Sequence, residues 1–425
     1  MTTVMNSGSR RVSRHAHHSF LLALWAIALS IVLISTPGGA TKAAADTAVS
    51  PVGGLFTVTG RGFGHGIGMS QYGSYGGATL GKTWQQMVAF YYSGTTIASQ
   101  STTRTIRVWI TADTDKDLQV YPSAGLRLHA FATGQIYTLP TGTKYTRWRT
   151  TRTATGYALH YRNTLGTWVK ITPPLNATAI WTFENTAKII KVLLPGSLRR
   201  EFRSQVSLIK TATAVITTNR LPVEDYLRSV VPSEMPTNWP TQAVQTQAVA
   251  ARTYAARLQA AAATAPAAAF YDVCDTVACQ VYKGYATTVS GIRTLHETAA
   301  GTLAVQRTAG RILTYLGNPA LAMFSSSNGG FSAPGSQPYL QAKADSWDGI
   351  AKSQAWTKTL TTAVVKQAYP NVGTIRQLQV LTRDGFGAFG GRVLTIKIIG
   401  STGSTTVTGP AFRTAMGLRS ALFRL

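Results

Sequence analysis

The residue best placed to do chemistry in this 425-residue chain is Glu234. It stands between Pro232 and Pro236, next to the apolar Val231 and Met235. A carboxylate held on a short, rigid and apolar turn is partly desolvated, which raises its pKa and lets it donate a proton at neutral pH. The alternative is a solvated glutamate that precedes a helix and interacts with the positive end of its dipole. We predict that Glu234 is a general acid.

An alanine-rich segment that follows Glu234 predicts a long helix. Good helix formers fill residues 241–263, Pro240 can begin the helix and Pro266 ends the run. Because seven residues make almost two helical turns, Gln245 and Arg252 lie on one face. We expect this helix to line a substrate cleft.

A glycine-rich segment near the start of the chain is a candidate binding loop. Glycine alternates with other residues from Gly60 to Gly68. Such spacing permits unusual backbone angles and lets a ligand approach the main chain closely. The register differs from the GxGxxG of dinucleotide sites. A short amphipathic helix is predicted next, over residues 83–92.

Short runs rich in Thr, Val, Tyr and Trp predict a β-rich region over residues 104–219. Strand-like runs return over residues 302–324 and again from residue 378 to the end, with a short helix near residues 412–417. The tryptophans of the β-rich region could stack on a sugar, but packing in a core or across a sheet is the favoured interpretation. They are Trp109, Trp148, Trp168 and Trp181.

The N-terminal residues have the layout of a secretory signal peptide. Three arginines precede the uncharged apolar run at residues 20–34, and small residues at 43–45 follow it. We predict a signal peptide over residues 1–45 and a linker over residues 46–54, and hence a secreted, cell-wall location. The alternative is an uncleaved membrane anchor, although about 15 apolar residues is short for a membrane span.

The charge balance points to anionic partners. The chain has 41 Lys and Arg against 15 Asp and Glu, a formal net charge of +26. Outside a cell the abundant polyanions are cell-wall polymers and anionic membrane surfaces, so we expect an exported chain of this charge to bind anionic cell-wall polymers. The cations are scattered and no zinc-finger or RNA-recognition spacing occurs, which argues against a specific nucleic-acid module.

The two cysteines, Cys274 and Cys279, predict a disulfide that shapes a local turn. Zinc is the alternative, but two thiolates need further ligands. No histidine lies between residues 270 and 285, and the nearest, His296, is a poor candidate. We therefore expect neither a metal nor a cofactor.

Four segments together resemble the SpoIID/LytB family, named for stage II sporulation protein D. They are LPVEDYLRSVVPSEMPTNWPTQAVQTQAVAARTYA from residue 221, YDVCDTVACQVYKGY from residue 271, FSSSNGGFSA from residue 324 and GRGFGHGIGMSQYG from residue 60. The resemblance covers residues 55–425. It implies an α+β, β-rich SpoIID-like domain composed of a glycine-rich GHG segment (55–98), the β-rich region (104–219) and a catalytic core (220–425).

The resemblance implies a peptidoglycan lytic transglycosylase that cleaves glycan strands lacking stem peptides, with Glu234 as both acid and base. Glu234 would protonate the glycosidic oxygen leaving from MurNAc, then accept a proton from the C6 hydroxyl as that oxygen attacks C1. One carboxylate is then enough, unlike the two of ordinary glycosidases. We interpret Glu224 and Asp225 as structural. The family name also implies an alternative, a non-catalytic wall-binding protein that enhances an N-acetylmuramoyl-L-alanine amidase.

The resemblance extends the candidate site beyond Glu234. Arg252 and Gln247 of the long helix are expected to orient the sugar or tune the carboxylate, and the alternative is a buried hydrogen-bonding pair that fixes the fold. Polar residues of the glycine segment and of the SSSNGG turn are expected to bind sugar hydroxyls. These residues are His65, Gln71, Ser326 and Asn328.

Two features depart from the family pattern. In many members the GHG segment follows the C-terminal strand, whereas here it stands near the start, so the order looks circularly permuted. Because chain termini often lie close together, we expect residues 60–72 to dock beside the strand that ends at Leu425. Some relatives bind zinc through two cysteines and a preceding histidine. This chain lacks that histidine, so the resemblance implies no zinc site.

Overall fold

The β-rich region predicted over residues 104–219 forms most of the largest sheet of the molecule. The computed structural model describes residues 45–211, 213–265, 270–350 and 354–425. The predicted signal peptide, except for Ala45, and Pro266 lie outside these residues. The described chain is mixed α/β and rich in strands, which confirms the predicted β-rich class at this general level.

The α-helices of the described chain are numbered in chain order. They are α1 Gln71–Thr79, α2 Trp84–Tyr91, α3 Val223–Glu234, α4 Thr241–Thr264, α5 Ala299–Arg307, α6 Thr362–Ala368 and α7 Gly409–Ala415. Helix α4 begins after Pro240 and matches the predicted alanine-rich helix within a residue, and α2 matches the predicted amphipathic helix equally closely. Local composition accounts for α4 after Pro240, and a capping box at Thr83 begins α2.

The strands are short, except for the two long neighbours β11 and β12. They are β1 Leu55–Arg61, β2 Met69–Ser70, β3 Thr96–Ser99, β4 Thr105–Trp109, β5 Asp117–Val120, β6 Leu126–Ala130, β7 Gln135–Thr138, β8 Arg147–Arg152, β9 Tyr157–Arg162, β10 Trp168–Ile171, β11 Trp181–Leu193, β12 Arg199–Lys210, β13 Val215–Pro222, β14 Val273–Cys274, β15 Ala286–Val289, β16 Ile292–Leu295, β17 Arg311–Tyr315, β18 Asn318–Pro319, β19 Phe324–Ser325, β20 Ala355–Thr361, β21 Ile375–Arg383, β22 Val393–Gly400, β23 Ser404–Thr408 and β24 Phe423–Arg424.

The large sheet supports the two helices that flank Glu234. Its strands follow the order β10, β9, β8, β5, β11, β12, β13, β4 and β14, with β6, β7, β15 and β16 joined at the sides. One hydrophobic core joins this sheet to α3 and α4, through residues such as Tyr226. Trp148 and Trp181 are buried in this core, as the packing interpretation predicts, whereas Trp109 and Trp168 are half-buried.

The glycine segment lies beside the C-terminal strand, where we expected it. Strand β1 lies between β20 and β24, and Gly60 is directly opposite Phe423. Beyond the strand, the backbone N–H of Gly64 donates to the carbonyl of Arg419. The permuted order of the family segments stays a prediction, because this contact does not show how relatives are connected.

Two local predictions are wrong. Residues 302–307 belong to helix α5 instead of a strand, and strands begin only at Arg311. Glu234 does not stand on a turn between two prolines, because helix α3 runs through Pro232 and ends at Glu234. No helix of the described residues is long and apolar enough to cross a membrane.

Candidate active site

Glu234 is the last residue of helix α3, and the next proline fixes that end. Met235 is extended, with φ −138° and ψ 138°. A residue before proline is driven out of the helical region by the proline ring. Pro236 therefore forces Met235 out of the helix, and α3 ends at Glu234. The side chain of Glu234 is therefore presented at the junction of α3 and α4, at the carbonyl end of α3.

The environment of Glu234 favours its protonated form. Burial, which is the largest effect, raises the pKa of this carboxyl group above its usual range. The carbonyl end of a helix also disfavours a negative charge. Two opposing effects lower the pKa: the backbone N–H of Val281 donates to Oε1 at 2.7 Å, and the charge of Lys283 lies nearby. The group can therefore both hold a proton and accept one back.

Glu234 opens into a cavity of about 470 Å³. The cavity is walled by the glycine segment, helices α3 and α4, the disulfide loop and the strand before the SSSNGG turn. Its lining residues are Phe63, Gly64, His65, Gln71, Glu234, Tyr254, Val277, Ala278, Cys279, Met323, Phe324, Ser325 and Ser326. Among these described lining residues, Glu234 carries the sole carboxylate.

Gln71 connects the glycine segment to Glu234. It is the first residue of α1, whose N-terminus is capped by the Ser70 hydroxyl. Its Nε2 donates to the backbone carbonyl of Glu234 at 3.0 Å and to Oε1 of Gln247 at 3.1 Å. Gln247 is completely buried and does not line the cavity, so it contacts the site through Gln71. The structure thus brings three of the predicted residues together.

Positive backbone angles shape the glycine segment. Gly62, Gly64, Gly66 and Gly68 all have φ between 68° and 110°. A Cβ at Gly64 would lie 2.6 Å from the Cβ of Ser325, so the two segments meet too closely for a larger residue. Glycine is required here both for its conformation and for this close approach.

His65 faces the cavity as a neutral imidazole. The backbone N–H of Ile67 donates to its Nδ1 at 2.9 Å. Surrounding protein atoms lower the pKa of His65, and the charges of Arg413 and Arg392 lower it further. A neutral ring whose Nδ1 accepts a hydrogen bond carries its proton on Nε2, and a hydrogen bond with the backbone of Phe324 partly opposes the lowering of the pKa.

The two predicted residues of the SSSNGG turn have different surroundings. Ser326 lines the cavity, and its backbone carbonyl accepts from the N–H of Tyr72. Asn328 is buried away from the lining, where it donates to Asp345 and accepts from Gly330. The structure therefore brings Ser326, but not Asn328, to the cavity beside Glu234.

Arg252 does not line the cavity. It is completely buried in α4 and forms a two-point ion pair with Glu224, at 2.9 and 2.7 Å. Its remaining donors contact backbone carbonyls, including those of Val305 and Arg311. Arg252 therefore forms a buried pair that fixes the fold, but its partner is Glu224 and not the Gln247 of the predicted pair. This pairing also gives Glu224 the structural role that the sequence suggested.

The predicted disulfide between Cys274 and Cys279 is confirmed. It closes a loop whose Val277 and Ala278 line the cavity. The loop is also held by Asp275, which pairs with Arg200 at 2.7 Å. In the described parts of the chain, no group of three or more His, Cys, Asp or Glu is placed to hold a metal ion.

Sequence reasoning assigned no role to two kinds of residue at the cavity. Tyr254 reaches it from α4, although the sequence had placed only Arg252 and Gln247 there. Phe63 and Val277 are apolar yet 50% and 87% exposed at its sides. A signal for Phe63 existed, since an aromatic residue between glycines has no neighbouring side chain to cover it.

The comparisons with known proteins concern the part of the chain that holds Glu234. Residues 211–315 match the model of the SpoIID family, described as stage II sporulation protein. The chain is 32% identical over 172 residues to stage II sporulation protein D of Bacillus subtilis (strain 168), covering 39% of this chain and 50% of that protein. It is 50% identical over 44 residues to the amidase enhancer of the same organism, covering 10% of this chain and 6% of that protein.

The chain thus spans about half the length of the first relative and a small part of the second. No solved structure is significantly similar to it. The family match contains Glu234, Gln247 and the disulfide, while the glycine segment and Ser326 lie outside it. On the family match and these relatives together, the chain is similar to the SpoIID/LytB family over the part that holds Glu234.

Proposed function

We propose that the protein is a secreted lytic transglycosylase that cleaves the MurNAc–GlcNAc bond of peptidoglycan strands lacking stem peptides. The observation that carries this proposal is the isolation of Glu234. It is the one carboxylate among the described lining residues of the cavity, and burial raises its pKa. A hydrolase of the ordinary type would need a second carboxylate to activate water or form a covalent intermediate.

The proposed reaction needs no water. Glu234 donates its proton to the glycosidic oxygen as the bond between that oxygen and C1 of MurNAc breaks. The C6 hydroxyl oxygen of the same sugar then bonds to C1, and its proton returns to Glu234. The products are a free GlcNAc hydroxyl end and a 1,6-anhydroMurNAc end, so the proton count balances and the enzyme is regenerated.

The other cavity residues would bind and orient the sugar. The neutral His65 and the hydroxyl of Ser326 can form hydrogen bonds with sugar hydroxyls, and the exposed ring of Phe63 can pack on a sugar face. Gln71 lines the cavity and holds the Glu234 backbone, whereas Gln247 positions Gln71. Helix α4 contributes Tyr254 to the proposed cleft.

The test is the mass of the products from peptide-free glycan strands. Wild type should release fragments with 1,6-anhydro ends, and Glu234→Gln should lower the rate by about 10²- to 10⁴-fold. Glu297→Gln is the matched control, because Glu297 pairs with Arg203 and does not line the cavity. Hydrated ends from wild type, or an unchanged rate in Glu234→Gln, would refute the proposal.

The second candidate function is enhancement of a cell-wall amidase without catalysis. The observation that favours it is the 50% identity to the amidase enhancer over 44 residues. This function predicts that Glu234→Gln still binds purified cell walls and that stem peptides are released faster only when an amidase is added. Wall binding that disappears with Glu234→Gln would contradict it.

A further inference from the structure

A row of residues crosses eight strands on one face of the large sheet, and all of its charged members are cationic. Each member lies directly opposite the next in the strand register. The row, from β10 to β16, consists of Lys170, His160, Arg149, Gln119, Leu193, Arg199, Thr288 and Arg293. Since neighbouring strands lie about 4.8 Å apart, this basic row is about 34 Å long measured along the sheet. The row is therefore long enough to contact an extended segment of a linear polymer.

Several cations of this face lie opposite other cations. Arg147 faces Arg162 across β8 and β9, and His160 lies between Arg149 and Lys170. Like charges directly opposite each other destabilise a sheet. Burial lowers the pKa of His160, and the charges of Arg149 and Lys170 lower it further. The face therefore holds a positive potential that an anionic ligand would relieve.

Few carboxylates compensate this charge. Glu201 forms a two-point pair with Arg293, and Asp117 lies 3.4 Å from Arg149. Across the parts of the chain that the structure describes, other cations of the face form no ion pair. These are Arg147, Arg162, Lys170 and Arg199. Lys170 at one end of the basic row and Arg199 near its middle thus remain available to an anion.

The rings of this face are covered by guanidinium groups. Arg149 lies 4.1 Å from the ring centre of Trp168, and Arg147 lies 4.5 Å from that of Tyr121. Arg199 lies over Tyr121 as well. Proteins that bind single-stranded nucleic acid combine cations with free aromatic faces on which bases stack. Cations without free rings suit a phosphate chain that carries no bases.

We propose that the basic row binds an extended polyol-phosphate polymer, the phosphodiester type of anionic cell-wall polymer. The choice of a wall polymer rests on the proposed extracellular function, whereas the choice of a linear polyanion rests on the strand register alone. No member of the row lines the cavity at Glu234, so the polymer would hold the protein on the wall and leave that cavity free.

The experiment titrates the full chain with labelled poly(glycerol phosphate) and with single-stranded DNA of equal phosphate number. The test variant is Lys170→Gln/Arg199→Gln, which changes two exposed members of the row. The matched control is Lys366→Gln/Arg376→Gln, which removes the same charge from exposed positions outside it. The affinity is measured at several salt concentrations between about 0.05 and 0.3 M.

We expect the test variant to bind poly(glycerol phosphate) about tenfold more weakly and to lower the salt slope by about two, with the control within about twofold of wild type. Equal weakening by both variants would mean that net charge, and not the row, binds the polymer. Tighter binding of DNA through the same two residues would make the face a nucleic-acid site. Either result overturns the proposal.

The release of anhydro fragments is measured on the same variants with soluble peptide-free strands. Both double variants should retain the wild-type rate, because the row does not contact the cavity. If wild type releases no anhydro fragments while the row still binds poly(glycerol phosphate), the proposed reaction fails and this inference stands. If release is normal and binding does not depend on the row, the reverse holds.

Discussion

The hydrogen bonds of Gln71 predict unequal effects of two isosteric substitutions. Gln71→Met removes both Nε2 bonds and leaves two buried acceptors unfilled, the backbone carbonyl of Glu234 and Oε1 of Gln247. Each buried acceptor without a partner costs about 1 to 3 kcal/mol. We therefore expect Gln71→Met to lower the free energy of unfolding by about 2 to 6 kcal/mol.

Gln247→Met is the matched comparison. It removes one acceptor from Gln71, which keeps its bond to the carbonyl of Glu234. It also removes Nε2 of Gln247, a buried donor that has no hydrogen-bond partner among the described residues. Because the loss of one bond is offset by the removal of an unsatisfied donor, we expect a change within about 1 kcal/mol.

The two variants should also differ in catalysis. Gln71→Met breaks the hydrogen bond that joins the glycine segment, which carries His65, to the backbone of Glu234. Misplacement of binding groups by about 1 Å can cost about 100-fold in rate, so we expect Gln71→Met to slow the release of anhydro fragments by about 10- to 100-fold. Gln247→Met should stay within about threefold of wild type.

The first assay is urea unfolding, in which the midpoints are compared at an unchanged dependence of the free energy on urea concentration. The second assay is the release of anhydro fragments from peptide-free strands. The prediction would be wrong if Gln247→Met destabilised the protein as much as Gln71→Met. It would also be refuted if Gln71→Met unfolded at the wild-type urea concentration, since the two buried acceptors would then not depend on this side chain.

Three further predictions concern the surroundings of the same cavity. The charge of Lys283 lowers the pKa of Glu234, so Lys283→Met should raise that pKa and move the high-pH limb of the pH–rate profile, where the acid loses its proton, to higher pH; a shift to lower pH would contradict this. Arg252→Met leaves Glu224 without its partner and should cost about 3 to 5 kcal/mol in urea unfolding, whereas a stable variant that only loses rate would indicate a sugar-orienting role. Reduction of the disulfide at Cys279 should slow fragment release yet lower the thermal midpoint by only a few degrees, because the closed loop is short; an unchanged rate would show that the loop does not shape the cavity.

The elements that sequence predicted well are those whose causes are local. Helix α4 consists of good helix formers after Pro240, and the capping box at Thr83 begins α2. The disulfide was predicted from the expected export of the chain and the short spacing of the cysteines. Each of these depends on residues close together in the chain, so no tertiary information is needed.

The setting of Glu234 was harder to predict because tertiary packing competes with a local rule. Proline inside a helix costs about 3 kcal/mol, which favoured a turn at Pro232. Helix α3 nevertheless continues, since Tyr226, Leu227 and Val230 on the same helix are completely buried in the core. A sequence shows the cost at the proline directly, but not the burial that outweighs it.

The role of Arg252 depended on a partner 28 residues away in the chain. An arginine on the buried face of a helix can contact either a ligand or a carboxylate of a neighbouring element, and the sequence contained two candidate carboxylates on the preceding segment, Glu224 and Glu234. Which carboxylate it contacts is determined by how α3 packs on α4. The same packing turns Tyr254 toward the cavity, which explains why that residue was missed.

The surroundings of Glu234 fit a single carboxylate that must change roles within one reaction. Burial and the helix end favour the protonated form, which is required when the glycosidic oxygen leaves. The N–H of Val281 and the charge of Lys283 stabilise the anion that forms when Glu234 gives its proton to the glycosidic oxygen, while burial leaves that anion basic enough to accept the C6 proton. A site with only the first pair of effects would hold its proton but release it less readily to the glycosidic oxygen, and one with only the second would be ionised before the reaction began. In the proposed reaction, one carboxylate under these opposing effects therefore takes both the acid and the base role, which an ordinary glycosidase assigns to two carboxylates.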